Sequence, residues 1–409
     1  MEHETPESAL TCTVFSCTPA GECREQAVVG RSTHAAMTKD QQRYVNDEML
    51  DVLYRHRTRP ADSGKLVEVV SNDYLDLGGH PAIAAAQQEA DERFGNGNRM
   101  AAPHLFADDP QHRLEERIAT WLGVEAVVLT QSGWTANFGL MQVLSQGTTV
   151  YRDETAHSSL TDGALAARAE MHDVRHNDPG HLAELLRGHG PGLVVLNAVY
   201  NIRGDLTPLA EMVETAELHG GTVVLDESHS LGALGPAGRG LAAQLTLGHR
   251  VAHRTASLAK AFTARAGIVA TSRAAAEQIR YRARSACFAS TLLPRDIAGI
   301  DATLTLIEHA DQARTRLADR THTLRTGLDQ QGWGVGPGAH IASLVHTTLP
   351  RLARSVTALD AAAVRASAFV LPVPRQGHLP LRICLHASLT DHDLDRILDA
   401  TALLRTEPA

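Results

Sequence analysis

Four short apolar runs mark the middle of the chain: EAVVLT (125–130), TTVYRDE (148–154), GLVVLNAVY (192–200) and GTVVLDESHS (221–230). Stretches with helical spacing lie between them, including LTDGALAARAEM, GHLAELLRGHG and LTPLAEMVETAELHG. Strands this short and this continuously apolar are buried on both faces. The alternation therefore predicts an α/β fold with a central, mostly parallel sheet covered by helices.

The flanks divide the chain further. Residues 1–36 are rich in Thr, Ser and Glu without periodicity and read as a poorly ordered leader, and Met37 could be the natural start. Residues 37–80 read as a helix over 40–57, a strand KLVEVVS and turn chemistry in NDYLDLGGHP. A large domain spans 81–295, and HRLEERIATWLG (112–123) within it is a helix that Gly123 ends. Residues 296–409 form a smaller C-terminal α+β domain that begins with one long helix over 296–328.

Composition narrows the function classes. A net charge of −9 argues against a nucleic-acid surface, which needs a basic patch. No apolar run is long enough to span a bilayer and no signal pattern opens the chain, so the expected location is cytoplasmic. Cys12, Cys17 and Cys23, with Cys287 and Cys384 far away, match neither a disulfide framework nor a zinc ribbon, and no metal site is expected.

In an open α/β sheet, ligands bind beyond the carboxyl ends of the strands. The polar residues there are QSGWTAN (131–137), DETAHSS (153–159), NAVYNIRGD (197–205), DESHS (226–230) and SLAK (257–260). GPAGRG (235–240) does not open a helix after a strand and reads as a turn rather than a dinucleotide motif. Asp226 ends a buried strand, where an unpaired carboxylate is costly. Lys260 is the only lysine after Lys65 and also follows a strand-like patch. A lysine able to form an imine, with a buried carboxylate to keep a pyridinium protonated, is what pyridoxal phosphate requires. SGW (132–134) opens a helix whose backbone N–H groups can hold the phosphate, and His157 can lie over the ring. Taken singly, each residue has an ordinary structural explanation; the combination at successive strand tips is far more specific.

At these positions the chain resembles the α-oxoamine synthase family of fold-type-I pyridoxal phosphate enzymes. The matching stretches are SNDYLDLGGHP, SGWTAN, DETAHSSLTDG, VRHND, DESHSLGALGPAGRG, SLAKAF, FASTLLP and LRICL, from about residue 70 to 385. Within the family they look most similar to the amino-ketone autoinducer synthases of the CqsA type. The resemblance implies that Lys260 carries the cofactor and later moves the proton at Cα. It implies that Asp226 pairs with the pyridinium nitrogen, His229 bonds the phenolic oxygen and His157 stacks on the ring. Ser132, Gly133, Trp134 and Ser257 would hold the phosphate, with Ser290 and Thr291 reaching it from the other subunit of a homodimer. Arg382, helped by Asn72, would hold the substrate carboxylate.

The segment NAVYNIRGD departs from the family pattern. Asn197 stands where an acid is expected, Asn201 where a serine is, and Arg203 brings a cation that members rarely carry. These changes imply either drift or a changed second substrate. The function implied first is carbon–carbon bond formation between an amino acid, with S-adenosylmethionine as a candidate, and an acyl-CoA. The alternative joins Cγ of S-adenosylmethionine to an electrophile such as the nicotinamide ring of NAD, with Arg203 and Asn201 contacting that acceptor. A non-catalytic relic of the fold is disfavoured by the intact Lys260, Asp226, His229 and Arg382.

Overall fold

The computed structural model describes residues 12–17, 23–28, 53, 66–97, 100–370 and 378–406. Within the expected leader it places two strands, β1 (Cys12–Cys17) and β2 (Cys23–Val28), paired antiparallel. The 40–57 helix apart from Leu53, along with Met37 and Lys65, lies outside the described residues.

The core of the molecule is a seven-stranded sheet. Its strands are β4 (Ala126–Thr130), β5 (Thr149–Asp153), β6 (Met171–Val174), β7 (Gly192–Asn197), β8 (Thr222–Asp226), β9 (His253–Ser257) and β10 (Gly267–Thr271). Their spatial order is β4-β10-β9-β8-β7-β5-β6, and only β10 runs against the rest. The carboxyl ends of β4, β5, β7, β8 and β9 therefore share one edge. Side chains alternate between the two faces, as a pleated strand requires. Val194 and Leu196 of β7 pack with Tyr151 and Leu225 on one side. Leu193 and Val195 pack with Val128, Val150 and Val224 on the other. Both faces are buried, as the apolar runs require.

Local chemistry sets the helix ends. Asp109 and Asp178 cap helices that begin with Pro110 and Pro179, where proline's missing N–H costs nothing. Gly123 ends the first of these in the left-handed region, at φ 67°. The single helix expected over 296–328 is instead two, Pro294–Glu308 and Asp311–Gln330. Arg314 makes the break stable, because its Nη1 donates to the Ile307 carbonyl at 2.8 Å at the first helix's end. No glycine or proline marks that break, so helical spacing alone runs through it.

The C-terminal unit holds β11 (Ile341–His346), β13 (Ser367–Ala368) and β14 (Leu379–Cys384) in an antiparallel sheet. β3 (Val67–Glu68) pairs in parallel with β12 (Val364–Arg365), so the segment after residue 66 is built into this unit. Cys384 N donates to Val69 O at 2.8 Å and Ala387 N to Tyr74 O at 2.9 Å. These bonds bring Asn72 and Tyr74 beside β14. Among the described residues no helix is long and apolar enough to cross a membrane.

Candidate active site

Asp226 is the last residue of β8, 3% exposed, in register with Asn197 of β7 and Thr255 of β9. Two donors hold its carboxylate: Asn137 Nδ2 reaches Oδ2 at 2.8 Å and Ser228 N reaches Oδ1 at 2.8 Å. A carboxyl group buried this deeply calls for a cationic partner. Lys260 sits in the tight turn between β9 and β10, its carbonyl accepting from Thr263 N at 2.9 Å. Burial lowers its pKa first, and the Arg382 cation lowers it further; Asp226 and Cys384 pull the other way. The net effect is an amine that sheds its proton more readily than a surface lysine.

The turn after β4 forms a close backbone cradle. Ser132 caps the Gly133–Leu144 helix, its Oγ accepting from Thr135 N at 3.1 Å while Ser132 N donates to Thr135 Oγ1 at 2.9 Å. A Cβ on Gly133 would lie 2.4 Å from Ser257 Cβ, and one on Gly267 would lie 2.2 Å from Ser132 O. Only glycine fits at either place. First-turn N–H groups have no acceptor within their own helix and sit at its positive end, which suits a phosphate. Ser257 joins the cradle, with its N donating to Ser228 Oγ at 2.8 Å and its Oγ accepting from Ala259 N at 3.3 Å. Trp134, 46% exposed, meets His157 edge to face at 5.7 Å between ring centroids.

His157 N donates to Asn197 Oδ1 at 3.0 Å. A carboxylate oxygen at this position could accept the same bond. Asn201 contributes its carbonyl, which accepts from Arg382 Nη1 at 2.9 Å. Arg382 is 7% exposed and lies 4.8 Å from the Phe369 ring, and its Nε has no partner. Arg203 points outward, its side chain 57% exposed and its Nε 3.2 Å from Asp205 Oδ2.

His229 is buried, and its Nδ1 lies 2.5 Å from the Tyr74 hydroxyl. Burial first, then the Lys260 and Arg382 cations, hold its pKa well below the usual histidine value, which favours the uncharged ring. Asn72, which the resemblance implies on the substrate carboxylate with Arg382, has an Oδ1 that accepts from Tyr74 Oη at 3.1 Å and Cys384 Sγ at 3.7 Å. Ser290 and Thr291 lie near the Ser132 cradle of their own chain: Gln131 Nε2 donates to Ser290 O at 2.6 Å, and Thr291 N donates to Met100 O at 2.8 Å. The expected GPAGRG turn is present, with Gly235, Gly238 and Gly240 all at positive φ.

Tyr74, Asn137, Ser159 and Ser228 also bond within this site, although the sequence marks them only as members of its polar runs and turns. Asn137 did carry a signal, since a polar, helix-disfavouring residue lies on the buried face of a helix.

These groups fit a flat, phosphorylated pyridine aldehyde. The cradle that a Cβ would fill suits the phosphate, Asp226 the ring nitrogen and Lys260 the aldehyde carbon. The sequence pattern of aminotransferase class I and II matches residues 65–400. The chain belongs to that family. It is 36% identical over 335 residues to a CAI-1 autoinducer synthase from Vibrio campbellii, covering 82% of this chain and 85% of that one. An 8-amino-7-oxononanoate synthase from Anaeromyxobacter sp. is 36% identical over 348 residues, covering 82% and 86%. Among solved structures, a serine palmitoyltransferase from S. paucimobilis with a bound PLP–myriocin aldimine superposes with a TM-score of 0.79 at 25% identity, covering 83% and 87%. The chain is thus a fold-type-I, α-oxoamine synthase-like transferase whose cofactor is pyridoxal 5'-phosphate.

Proposed function

We propose that this protein joins Cα of an α-amino acid to the acyl carbon of an acyl thioester such as an acyl-CoA, giving an α-amino-ketone. S-adenosylmethionine is the amino substrate we favour, on the resemblance to amino-ketone autoinducer synthases. The observation that carries the reading is Arg382: a buried guanidinium with one bond to Asn201 O and an unpartnered Nε calls for an anionic guest. A substrate α-carboxylate supplies it with charge-assisted geometry.

Bound pyridoxal phosphate supplies the electron sink that lets the Cα proton leave. Lys260 moves that proton at Cα, and Arg382 fixes the carboxylate. Asp226 holds the proton on the ring nitrogen, while Gly133, Trp134 and Ser257 hold the phosphate. As the new carbon–carbon bond forms, the carbon–sulfur bond breaks and the thiol leaves; loss of the carboxylate as CO2 completes the amino-ketone. The working unit in this reading is a homodimer in which Ser290 and Thr291 also serve the partner's phosphate. Phe106 and Phe288, 78% and 84% exposed, support an interface on that side.

Arg203 favours a second reading. Its half-exposed guanidinium suits a phosphate-bearing acceptor, such as NAD joined to Cγ of S-adenosylmethionine after γ-elimination breaks the Cγ–sulfur bond and methylthioadenosine leaves. A thiol-release assay tests the first reading. Thiol is expected from acyl-CoA only when the amino substrate is present, and not with Lys260→Ala. Release that ignores the amino substrate would refute it.

A further inference from the structure

We propose that Asn137 is a positioning residue that couples Asp226 to His157, fixing the carboxylate's orientation and the imidazole's tautomer; this rests on the reading of both as cofactor-contacting groups. Asn137 lies on the buried face of the Gly133–Leu144 helix, 2% exposed. Its Nδ2 donates to Asp226 Oδ2 at 2.8 Å and to Ser159 Oγ at 2.9 Å, and its Oδ1 accepts from Thr255 Oγ1 at 2.5 Å. An ionised carboxylate only accepts, so the amide nitrogen must face Asp226 and the oxygen must face Thr255. The amide cannot flip without losing these bonds. With Ser228 N on Oδ1, both carboxylate oxygens of Asp226 are pinned.

The second arm runs through Ser159. Its Oγ receives an N–H from Asn137, so its own hydrogen is left to donate, and His157 Nδ1 lies 2.7 Å away. Ser159 N also approaches that Nδ1 at 3.3 Å, and a backbone N–H can only donate. Both contacts put a lone pair on Nδ1, so the ring proton sits on Nε2. One amide thus sets the acceptor that meets the pyridine nitrogen and the donor that His157 presents. A solvated ring would exchange tautomers; this one is held.

The test uses holoenzyme with Asn137→Ala, Ser159→Ala and the double substitution. It reads the cofactor dissociation constant, the pH titration of the bound cofactor's visible absorption, and the pH profile of the spectral change on adding amino substrate. Asn137→Ala is expected to weaken cofactor binding roughly ten- to a hundredfold, the range for losing a hydrogen bond to a charged group. It should also shift the absorption titration. Ser159→Ala is expected to alter the substrate profile, because His157 Nδ1 loses the hydroxyl that holds its tautomer. In the double variant the Ser159 substitution should add little, because its arm depends on Asn137. Thr255→Val removes only the anchor on Asn137 Oδ1 and is expected to move affinity and titration in the same direction, which keeps the test alive if Asn137→Ala does not fold. Wild-type affinity and titration in Thr255→Val, or full additivity of Asn137→Ala and Ser159→Ala, would overturn the coupling. A protein that shows these signatures yet makes no product from amino acid and acyl thioester would refute the proposed function and leave the coupling standing.

Discussion

The hydroxyl of Tyr74 lies 2.5 Å from Nδ1 of His229, across 155 residues of sequence. The contact ties a segment built into the C-terminal unit to the tip of β8 in the large sheet. It leaves Nε2 as the only nitrogen of His229 for a further partner. Tyr74→Phe keeps the ring packing against His340, at 3.9 Å between centroids, and removes only the hydroxyl. The expected loss is roughly 1–3 kcal/mol, the range for leaving a buried polar group unpaired, with weaker cofactor binding. Denaturant unfolding and a cofactor titration check it; no change in either would mean the contact does not matter in solution.

Asp226→Asn keeps the shape of the β8 tip and removes its charge. Exchange of the amino substrate's Cα hydrogen with solvent deuterium, followed by NMR, is expected to slow roughly 10²–10³-fold, comparable to losing one preorganised electrostatic partner. A near-normal rate would make Asp226 a strand cap only.

The sheet was legible because continuous apolar runs admit few arrangements, and the strand-tip residues followed from the rule that ligands bind there. Lys260 stood out by scarcity and by its place after a strand-like patch. Tyr74 and Asn72 were harder to place, because their position depends on β3 joining the C-terminal unit through two-residue pairings that leave no periodic signal. The break at Arg314 was invisible for a related reason: a side chain, not a breaker residue, satisfies the end of the helix.

His176 bridges Asp153 at 3.0 Å and Asp205 at 3.5 Å. Burial works against its charge, yet hydrogen bonds to the two acids outweigh it and raise its pKa from 6.5 to about 9. The folded state therefore binds more protons between those values. The stabilisation is whole below about 6.5 and is lost as pH rises through about 9. Both acids stand below their usual pKa, so their share is lost on the acid side instead. Melting temperature is expected to fall more steeply from pH 7 to pH 10 in the natural protein than in His176→Gln. Parallel curves would contradict the bridge.

Arg203→Ala discriminates between a surface ion pair and an acceptor contact. The Arg203 end of its pairing with Asp205 is more than half exposed, so the stability cost should stay within about 1 kcal/mol. If an anionic acceptor binds there, kcat/KM for the acceptor falls while Cα–hydrogen exchange stays intact. Unchanged acceptor kinetics would assign Arg203 to the turn.

The proposed reaction makes one amino-ketone from an amino acid and an acyl thioester. Mass spectrometry of reactions containing S-adenosylmethionine with acyl-CoA, and separately with NAD, tests it most directly. The acyl-CoA reaction is expected to give a product whose mass is the sum of amino substrate and acyl group less CO2 and the one hydrogen that leaves with the thiol, absent with Lys260→Ala. No acyl-bearing product with S-adenosylmethionine or any other amino acid, together with an adduct in the NAD reaction, would contradict it.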